Sequence, residues 1–278
     1  MRKTVKGVVA VILSAAFLWG AAHLLAELRG YEDAEKNTHM ARDLALPETG
    51  SALPTEQPAP EALPPTETTE LPTEETQPVT KELPMDAPAL FLQQVDIAAL
   101  QQVNPEVLGW IYIPDTAVSY PLLQAEDNNK YLHYAWDGTP NGSGSIFLER
   151  RNARDMTDFN TIIYGHHMAN GTMFQPLIGY RDAEFMERNP YVYVVSGDGI
   201  FRYRIFSAYE APIDSHTYRL VFRDDGEKMS AVEYYLQGRE DMELGTDDRI
   251  LTLSTCTGMG DYSVRWVVQG VLDASWQK

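Results

Sequence analysis

The chain has 278 residues, of which 44% are hydrophobic and 10% aromatic, enough for one sizeable packed domain with further segments attached. Its formal net charge of −18 argues against a nucleic-acid partner, because the phosphates would be repelled by a surface that lacks a basic patch. The sequence contains no phosphate-binding or dinucleotide-binding loop either.

The N-terminus holds an apolar run from Gly7 to Ala26 that follows three basic residues. Twenty helical residues, at about 1.5 Å each, span roughly the 30 Å hydrocarbon core of a bilayer. The basic flank predicts a cytoplasmic N-terminus and export of everything after the run. A cleaved signal peptide is the alternative, since residues 20–22 are small. The run exceeds the usual signal core of about 7 to 15 residues, so we assign residues 1–29 to a cytoplasmic tip and a transmembrane signal-anchor.

The composition between Leu44 and Pro84 is typical of a stalk. This segment holds nine of the 17 prolines and eight glutamates against a single lysine, and it lacks Ile, Phe, Tyr and Trp. Such a segment cannot bury enough apolar surface to offset its ordering entropy. We therefore predict, for residues 30–85, a juxtamembrane segment and a disordered stalk that holds a folded domain away from the membrane.

The folded domain is predicted over residues 86–278. It begins with an amphipathic helix or helix pair, broken near Asn104-Pro105, whose apolar positions are Phe91, Val95, Ala98, Leu100 and Leu108. Eight short β-rich runs follow, at residues 109–114, 117–123, 144–149, 160–165, 191–196, 201–210, 249–256 and 265–272. Two helical interruptions are predicted, Met173–Met186 and Lys228–Gln237. This spacing predicts a mainly β fold, a barrel with flanking helices.

Cys256 is the single cysteine of a chain that we expect to face an oxidising exterior, so it cannot form an intramolecular disulfide. A buried core thiol is one interpretation. Cys256 ends a predicted strand, however, where Ser254, Thr255 and Thr257 surround it. The end of a rigid strand, open to a substrate, is where a nucleophile is useful.

A thiol with a pKa near 8.5 needs a base or a cation to become a thiolate, so a nucleophilic cysteine requires a histidine. His166 and His167 directly follow the predicted strand 160–165, whereas the other four histidines lie elsewhere: His23, His39, His133 and His216. A metal site at the pair is disfavoured, because the sequence nearby offers zinc too few ligands. One catalytic histidine is the better interpretation.

Arg265 lies nine residues after Cys256, at the start of the next predicted strand. A hairpin would bring its guanidinium back beside the thiolate. There it would stabilise the oxygen on which negative charge develops during acyl transfer. An ordinary arginine at a strand edge is the alternative interpretation.

Taken together, YGHH at 164–167, TLSTC at 252–256 and Arg265 resemble the signature of the sortases, and of class B within that family. Supporting segments are NPEVLGWIYIP, DNNKYL (127–132), GSIFLE, NTIIYGHHM followed by GTMFQPL, and FSAYE. The resemblance extends from about Leu90 to Leu272, roughly the last two-thirds of the chain.

The resemblance implies an eight-stranded sortase-type barrel and a cysteine transpeptidase. Such an enzyme attacks the backbone carbonyl of a Thr in a sorting motif, forms a thioacyl intermediate and releases it to an amine. By position in the motifs, the catalytic residues would be His166, Cys256 and Arg265, with His167 in a supporting role. The peptide groove would be lined by Asn128, Leu132, Tyr164, Ser254 and Thr255, and the Ala211–Leu220 loop would cover it.

The resemblance also implies the partners and the location. The partners would be surface proteins that carry a sorting motif, a peptidoglycan precursor or pilin amine as acceptor, and the membrane through the N-terminal helix. The catalytic domain would be extracellular on a single-pass protein of a Gram-positive envelope. No metal or organic cofactor is implied.

Two features depart from a simple match. Thr257 stands where the best-known class B pattern has an acidic residue after the cysteine, which puts one acidic contact in doubt. The LPETG at residues 46–50 matches a sorting motif, but near-matches recur in the same low-complexity tract, so we interpret it as coincidental. A cell-wall cysteine peptidase and a non-catalytic stalked binding domain remain the alternative functions.

Overall fold

The computed structural model describes residues 17, 19, 32–46, 84–197, 199–256 and 263–278, with Cys256 described by its backbone. The predicted anchor, apart from two of its positions, and residues 47–83 of the predicted stalk lie outside this set. Within the described part of the chain, no helix is both long enough and apolar enough to cross a membrane.

Eight strands form a closed barrel in the order β1-β2-β3-β4-β7-β8-β6-β5. Their bounds are β1 Val107–Tyr112, β2 Ser119–Leu123, β3 Ile146–Leu148, β4 Asn160–Tyr164, β5 Tyr191–Ser196, β6 Gly199–Pro212, β7 Ile250–Cys256 and β8 Val264–Gln277. The β2–β3 and β4–β7 pairs are parallel, and the other pairs are antiparallel. All eight predicted runs are therefore strands, and the barrel is confirmed.

Five α-helices surround the barrel in the described part of the chain. They are α1 over residues 32–45, α2 Ala87–Leu92, α3 Ile97–Val103, α4 Ala183–Arg188 and α5 Asp225–Leu236. Asp86, Asp96, Asp182 and Asp224 cap the last four, because each side chain accepts a hydrogen bond from a first-turn N–H. These caps define where the helices begin.

Two helical predictions need correction. The helix pair before β1 breaks at residues 93–96 and ends at Asn104, and Leu108 lies in β1 rather than in a helix. The predicted helix Met173–Met186 is instead a 3-10 helix, Gln175–Arg181, followed by the short α4. A side chain at Gly179 would meet the Phe185 ring at 2.8 Å, so the two segments pack against each other instead of continuing as one helix.

The barrel interior and the outer face of its first strands form separate cores. Ile111, Ile163, Leu251 and Val268 belong to the interior cluster. The outer face of β1 and β5 is covered by a second cluster that includes Trp110 and residues of α1, α2 and α3. Alternation of side chains along each strand produces this division.

Helix α1 is part of the folded domain. Its residues Ala41 and Ala45, and Leu46 after it, are buried in the second cluster. The Trp136 Nε1 donates to the Asn37 carbonyl at 2.9 Å, and the Asp96 N–H donates to the Ala45 carbonyl at 2.7 Å. The predicted stalk begins at Leu44, whereas the structure packs Ala45 and Leu46 against the domain and leaves Leu44 exposed.

Candidate active site

Strand pairing places the three predicted catalytic residues at one end of the barrel. Tyr164 of β4 pairs with Ser254 of the parallel strand β7, and His166 and Cys256 each follow two residues later. Because parallel strands end at the same edge of a sheet, both residues leave the barrel at the same level. Arg265 begins β8 as the antiparallel partner of Cys256. The long crossover between β4 and β7 is what brings residues 90 positions apart together.

His166 is held by the segments around it. Its Nε2 lies 2.9 Å from the carbonyl oxygen of Leu132, and its own carbonyl accepts from the Phe174 N–H at 2.9 Å. A carbonyl oxygen can only accept, so Nε2 carries the hydrogen and Nδ1 is left for proton transfer. Gly144, with φ of 57°, packs closely against the ring: an added Cβ at this position would lie 3.1 Å from His166 Cδ2.

His167 has different surroundings from its neighbour. Its Nδ1 is buried and has no hydrogen-bond partner among the described residues. Burial, and then the positive charge of Arg181, lowers the pKa of the His167 imidazole below its usual value. His166 lines the groove described next, whereas His167 is not among the residues that line it.

A groove with a volume of about 590 Å³ lies at the barrel end that carries His166 and Arg265. All the residues predicted to bind peptide line it, namely Asn128, Leu132, Tyr164, Ser254 and Thr255, together with His166 and Arg265. The predicted covering loop contributes Ile213 and Tyr218, and the Tyr218 hydroxyl bonds the Ser254 hydroxyl at 2.9 Å. Residues 211 and 212 belong to β6, so the loop itself begins at Ile213.

The sequence did not indicate the buried carboxylate behind one wall of this groove. The Glu149 side chain is 2% exposed and accepts hydrogen bonds from Asn128 Nδ2 at 2.6 Å, Tyr164 OH at 3.1 Å and Arg151 Nε at 2.8 Å. Burial alone would raise the pKa of this carboxyl, but the bonds from Arg151 and Asn128 outweigh burial and lower the pKa. Glu149 ends an apolar run, and sequence alone does not distinguish such an acid from an exposed one.

A histidine, a cysteine and an arginine at one end of a closed barrel, beside a groove that can hold an extended peptide, form the arrangement expected of a cysteine-dependent acyl-transfer enzyme. The family model of the sortase domain matches residues 111–273, which is more than half of the chain. The chain therefore belongs to the sortase family of cysteine transpeptidases, and its relatives place it in class B.

Two curated relatives are similar over most of this domain. Sortase B of Listeria monocytogenes is 36% identical over 181 residues, which cover 64% of this chain and 74% of that protein. Sortase B of Staphylococcus aureus is 31% identical over 161 residues, which cover 57% of this chain and 66% of that protein. These relatives confirm the class B resemblance drawn from the motifs.

Solved structures agree with the fold. A Staphylococcus aureus sortase B–substrate complex superposes with a TM-score of 0.60 at 29% identity, covering 66% of this chain and 86% of that one. Sortase B from Bacillus anthracis, in complex with AAEK1, gives 0.57 at 34% identity, covering 63% and 83%. The described barrel is thus a sortase barrel.

Proposed function

We propose that this enzyme cleaves a C-terminal sorting motif of surface proteins after Thr, holds the product as a thioacyl-enzyme on Cys256, and transfers it to an amine of the cell wall or a pilin. The observation that carries the proposal is the strand register that brings His166, Cys256 and Arg265 to one end of a groove of peptide size. The similarity to a structure described as a sortase B–substrate complex supports it.

Acylation uses all three residues. The Cys256 thiol gives its proton to His166 Nδ1, the resulting thiolate attacks the carbonyl carbon of the Thr residue, and the Arg265 guanidinium stabilises the oxygen that becomes negative. As the C–N bond breaks, His166 gives its Nδ1 proton to the leaving amine. The Nε2–H bond to the Leu132 carbonyl keeps the ring orientation while this proton moves.

Deacylation is the reverse of this sequence with a new amine. The amine attacks the thioester, His166 Nδ1 accepts its proton, and the C–S bond breaks to regenerate the thiolate. Because the thiol and the imidazole exchange one proton, the apparent pKa values seen in kinetics belong to the pair. Water in place of the amine would give hydrolysis instead.

The N-terminal segment supports a location at the cell surface. The apolar run at residues 7–26 and its basic flank suit a single-pass anchor with the catalytic domain outside. An enzyme held in this way would meet exported proteins as they leave the membrane. Labelling of introduced cysteines on intact cells, in a Cys256→Ala background, tests this orientation.

The function is tested on the whole 278-residue chain in mild detergent, because α1 packs on the barrel and removal of residues before 86 would uncover its core. The chain is incubated with peptides of the NPXTN, NPXTG, SPXTG and LPXTG types plus triglycine, beside a Cys256→Ala control, and analysed by mass spectrometry. We expect a Cys256-dependent thioacyl adduct and a triglycine-ligated product. Hydrolysis without ligation would instead indicate a peptidase, and no adduct with any peptide a binding domain.

A further inference from the structure

Arg151 is fixed at one wall of the groove by a buried acid. Its Nε donates to Glu149 Oε1 at 2.8 Å, and its backbone N–H donates to the same oxygen at 3.3 Å. The Glu149 side chain is 2% exposed, whereas that of Arg151 is 54% exposed and lines the groove. Glu149 is therefore buried, whereas the Arg151 guanidinium that it binds is accessible from the groove.

The terminal nitrogens of Arg151 remain available. Among the described residues, neither Nη atom has a hydrogen-bond or ion-pair partner. Of the other two side chains that bond Glu149, Asn128 also accepts from the Arg150 N–H at 2.9 Å, and the Tyr164 hydroxyl carries no charge. Of the three side chains that Glu149 holds, Arg151 is the one with charged donors left for a ligand.

The distance between the Arg151 wall of the groove and the catalytic end can be estimated in residues of an extended peptide. The Glu149 N–H bonds the Ile162 carbonyl, four residues before His166 along β4, and the Glu149 side chain reaches forward to the Tyr164 hydroxyl. At about 3.3 Å per residue, this places the Arg151 wall roughly 7 to 13 Å from the catalytic end. An extended peptide spans that distance in about two to four residues.

We propose that Arg151, held by Glu149, is a specificity-determining residue that binds a side-chain oxygen of the sorting peptide about four residues before the cleaved bond. The favoured ligand is a carboxylate or an amide, because a guanidinium presents paired N–H donors that match these groups. A cationic side chain at the same peptide position is disfavoured by like-charge repulsion. This inference rests on the proposed function for its direction along the groove.

Arg150 provides a matched control. It is the same residue type, adjacent in the chain and exposed, and it does not line the groove. Its one contact with the Glu149 network is made by its backbone N–H, which a side-chain substitution retains. Arg150→Met therefore removes one positive charge from the protein without changing the groove.

The test measures peptide binding by fluorescence anisotropy on the whole chain with Cys256→Ala, so that no turnover interferes. Labelled peptides carry Glu, Gln, Leu or Lys at the fourth residue before the scissile bond. We expect the Glu and Gln peptides to bind about tenfold more tightly than the Lys peptide, and the ratio for Glu to shrink at high salt. Arg151→Met should abolish the preference, Arg151→Lys should keep part of it for Glu, and Arg150→Met should retain it.

Equal binding of the Glu and Lys peptides, loss of the preference in Arg150→Met, or its retention in Arg151→Met would each overturn the proposal. Failure of every peptide to bind would overturn it too. Thermal unfolding of each variant shows whether a loss reflects misfolding, and the Arg151→Lys variant keeps a cation beside Glu149. A charge preference in binding without Cys256-dependent turnover would reject the transpeptidase function alone.

Discussion

Cys256 and Arg265 are direct partners in the antiparallel pairing of β7 and β8. Residues paired in this way have Cα atoms about 4.5 to 5.5 Å apart, and the hydrogen bonds between the strands hold this distance constant. The sheet thus fixes the backbone spacing between the proposed nucleophile and the proposed oxyanion stabiliser. Because both strands are anchored in the barrel, little reorganisation is needed when charge develops.

We expect Arg265→Lys to lower kcat by about 10² to 10³ with a small change in KM, because a lysine presents its charge from a different geometry and lacks the guanidinium fork. Transpeptidation kinetics with a saturating amine measure this. Arg204→Lys, an exposed position on β6, is the control and should behave as wild type. An unchanged kcat in Arg265→Lys would remove the arginine from the mechanism.

Substitution of His166 and of His167 should have different effects on kcat/KM. We expect His166→Gln to lower kcat/KM by about 10³ or more, because it removes the proton donor, and His167→Gln to stay within about tenfold with the same pH profile. Steady-state rates between pH 5 and 9 check this. If His167→Gln lost the pH dependence of the rate, His167 rather than His166 would be the proton donor.

The His167 pKa also predicts a stability change. Because its folded-state pKa is lowered, the unfolded chain binds more protons as the pH falls below about 6.5. The unfolding free energy of the wild type should therefore fall between pH 7 and 5 more steeply than that of His167→Gln. Urea unfolding at several pH values measures the two slopes, and parallel slopes would contradict the prediction.

Gly144→Ala should disturb His166, the proposed catalytic histidine, through the backbone. A Cβ at this position, whose φ is 57°, would meet the Tyr131 carbonyl oxygen at 2.4 Å and His166 Cδ2 at 3.1 Å. We expect a loss of about 1 to 3 kcal/mol of unfolding free energy and a lower kcat, since the Tyr131–Leu132 backbone must move. Gly142→Ala, which has nothing within 4 Å, is the matched control. Equal Tm and kcat in the two variants would contradict this.

Glu149→Gln should change the acid stability of the protein. The folded-state pKa of Glu149 is lowered, so its stabilising effect is present above about pH 4.5 and is lost as the pH falls through the folded-state pKa. The difference in unfolding free energy between wild type and Glu149→Gln should therefore be largest near neutral pH and shrink below pH 4.5. A constant difference over that range, measured by chemical unfolding, would reject this role for the ionised carboxylate.

Helix α1 should contribute measurably to stability. Leu46 burial is worth about 1.5 to 3 kcal/mol, and the two hydrogen bonds that α1 makes with Trp136 and Asp96 add about 1 kcal/mol each. We expect a chain that begins at residue 84 to unfold roughly 10 °C below one that begins at residue 30. Calorimetry measures both, and equal Tm values would show that α1 adds no stability.

Local patterns in the sequence were sufficient for the strands and for the candidate residues. Alternating β-branched and aromatic runs located all eight strands, because the burial pattern of a strand depends on residues that are consecutive in the sequence. The motifs around His166 and Cys256 were recognisable for the same reason. The helix boundaries were less secure: Met173–Met186 has apolar residues at helical spacing, yet packing of Phe185 over Gly179 divides it.

The amino-acid sequence by itself determined the strand set and the family, and it supplied the candidate catalytic residues, because these depend on short-range patterns and motifs. The tertiary structure alone decided that β4 and β7 pair in parallel, that α1 joins the core, and that Glu149 is buried where it holds Asn128, Tyr164 and Arg151. Each of these depends on contacts between residues far apart in the chain. Strand order and burial are set by the free energy of the whole packed barrel, which no local window of sequence contains.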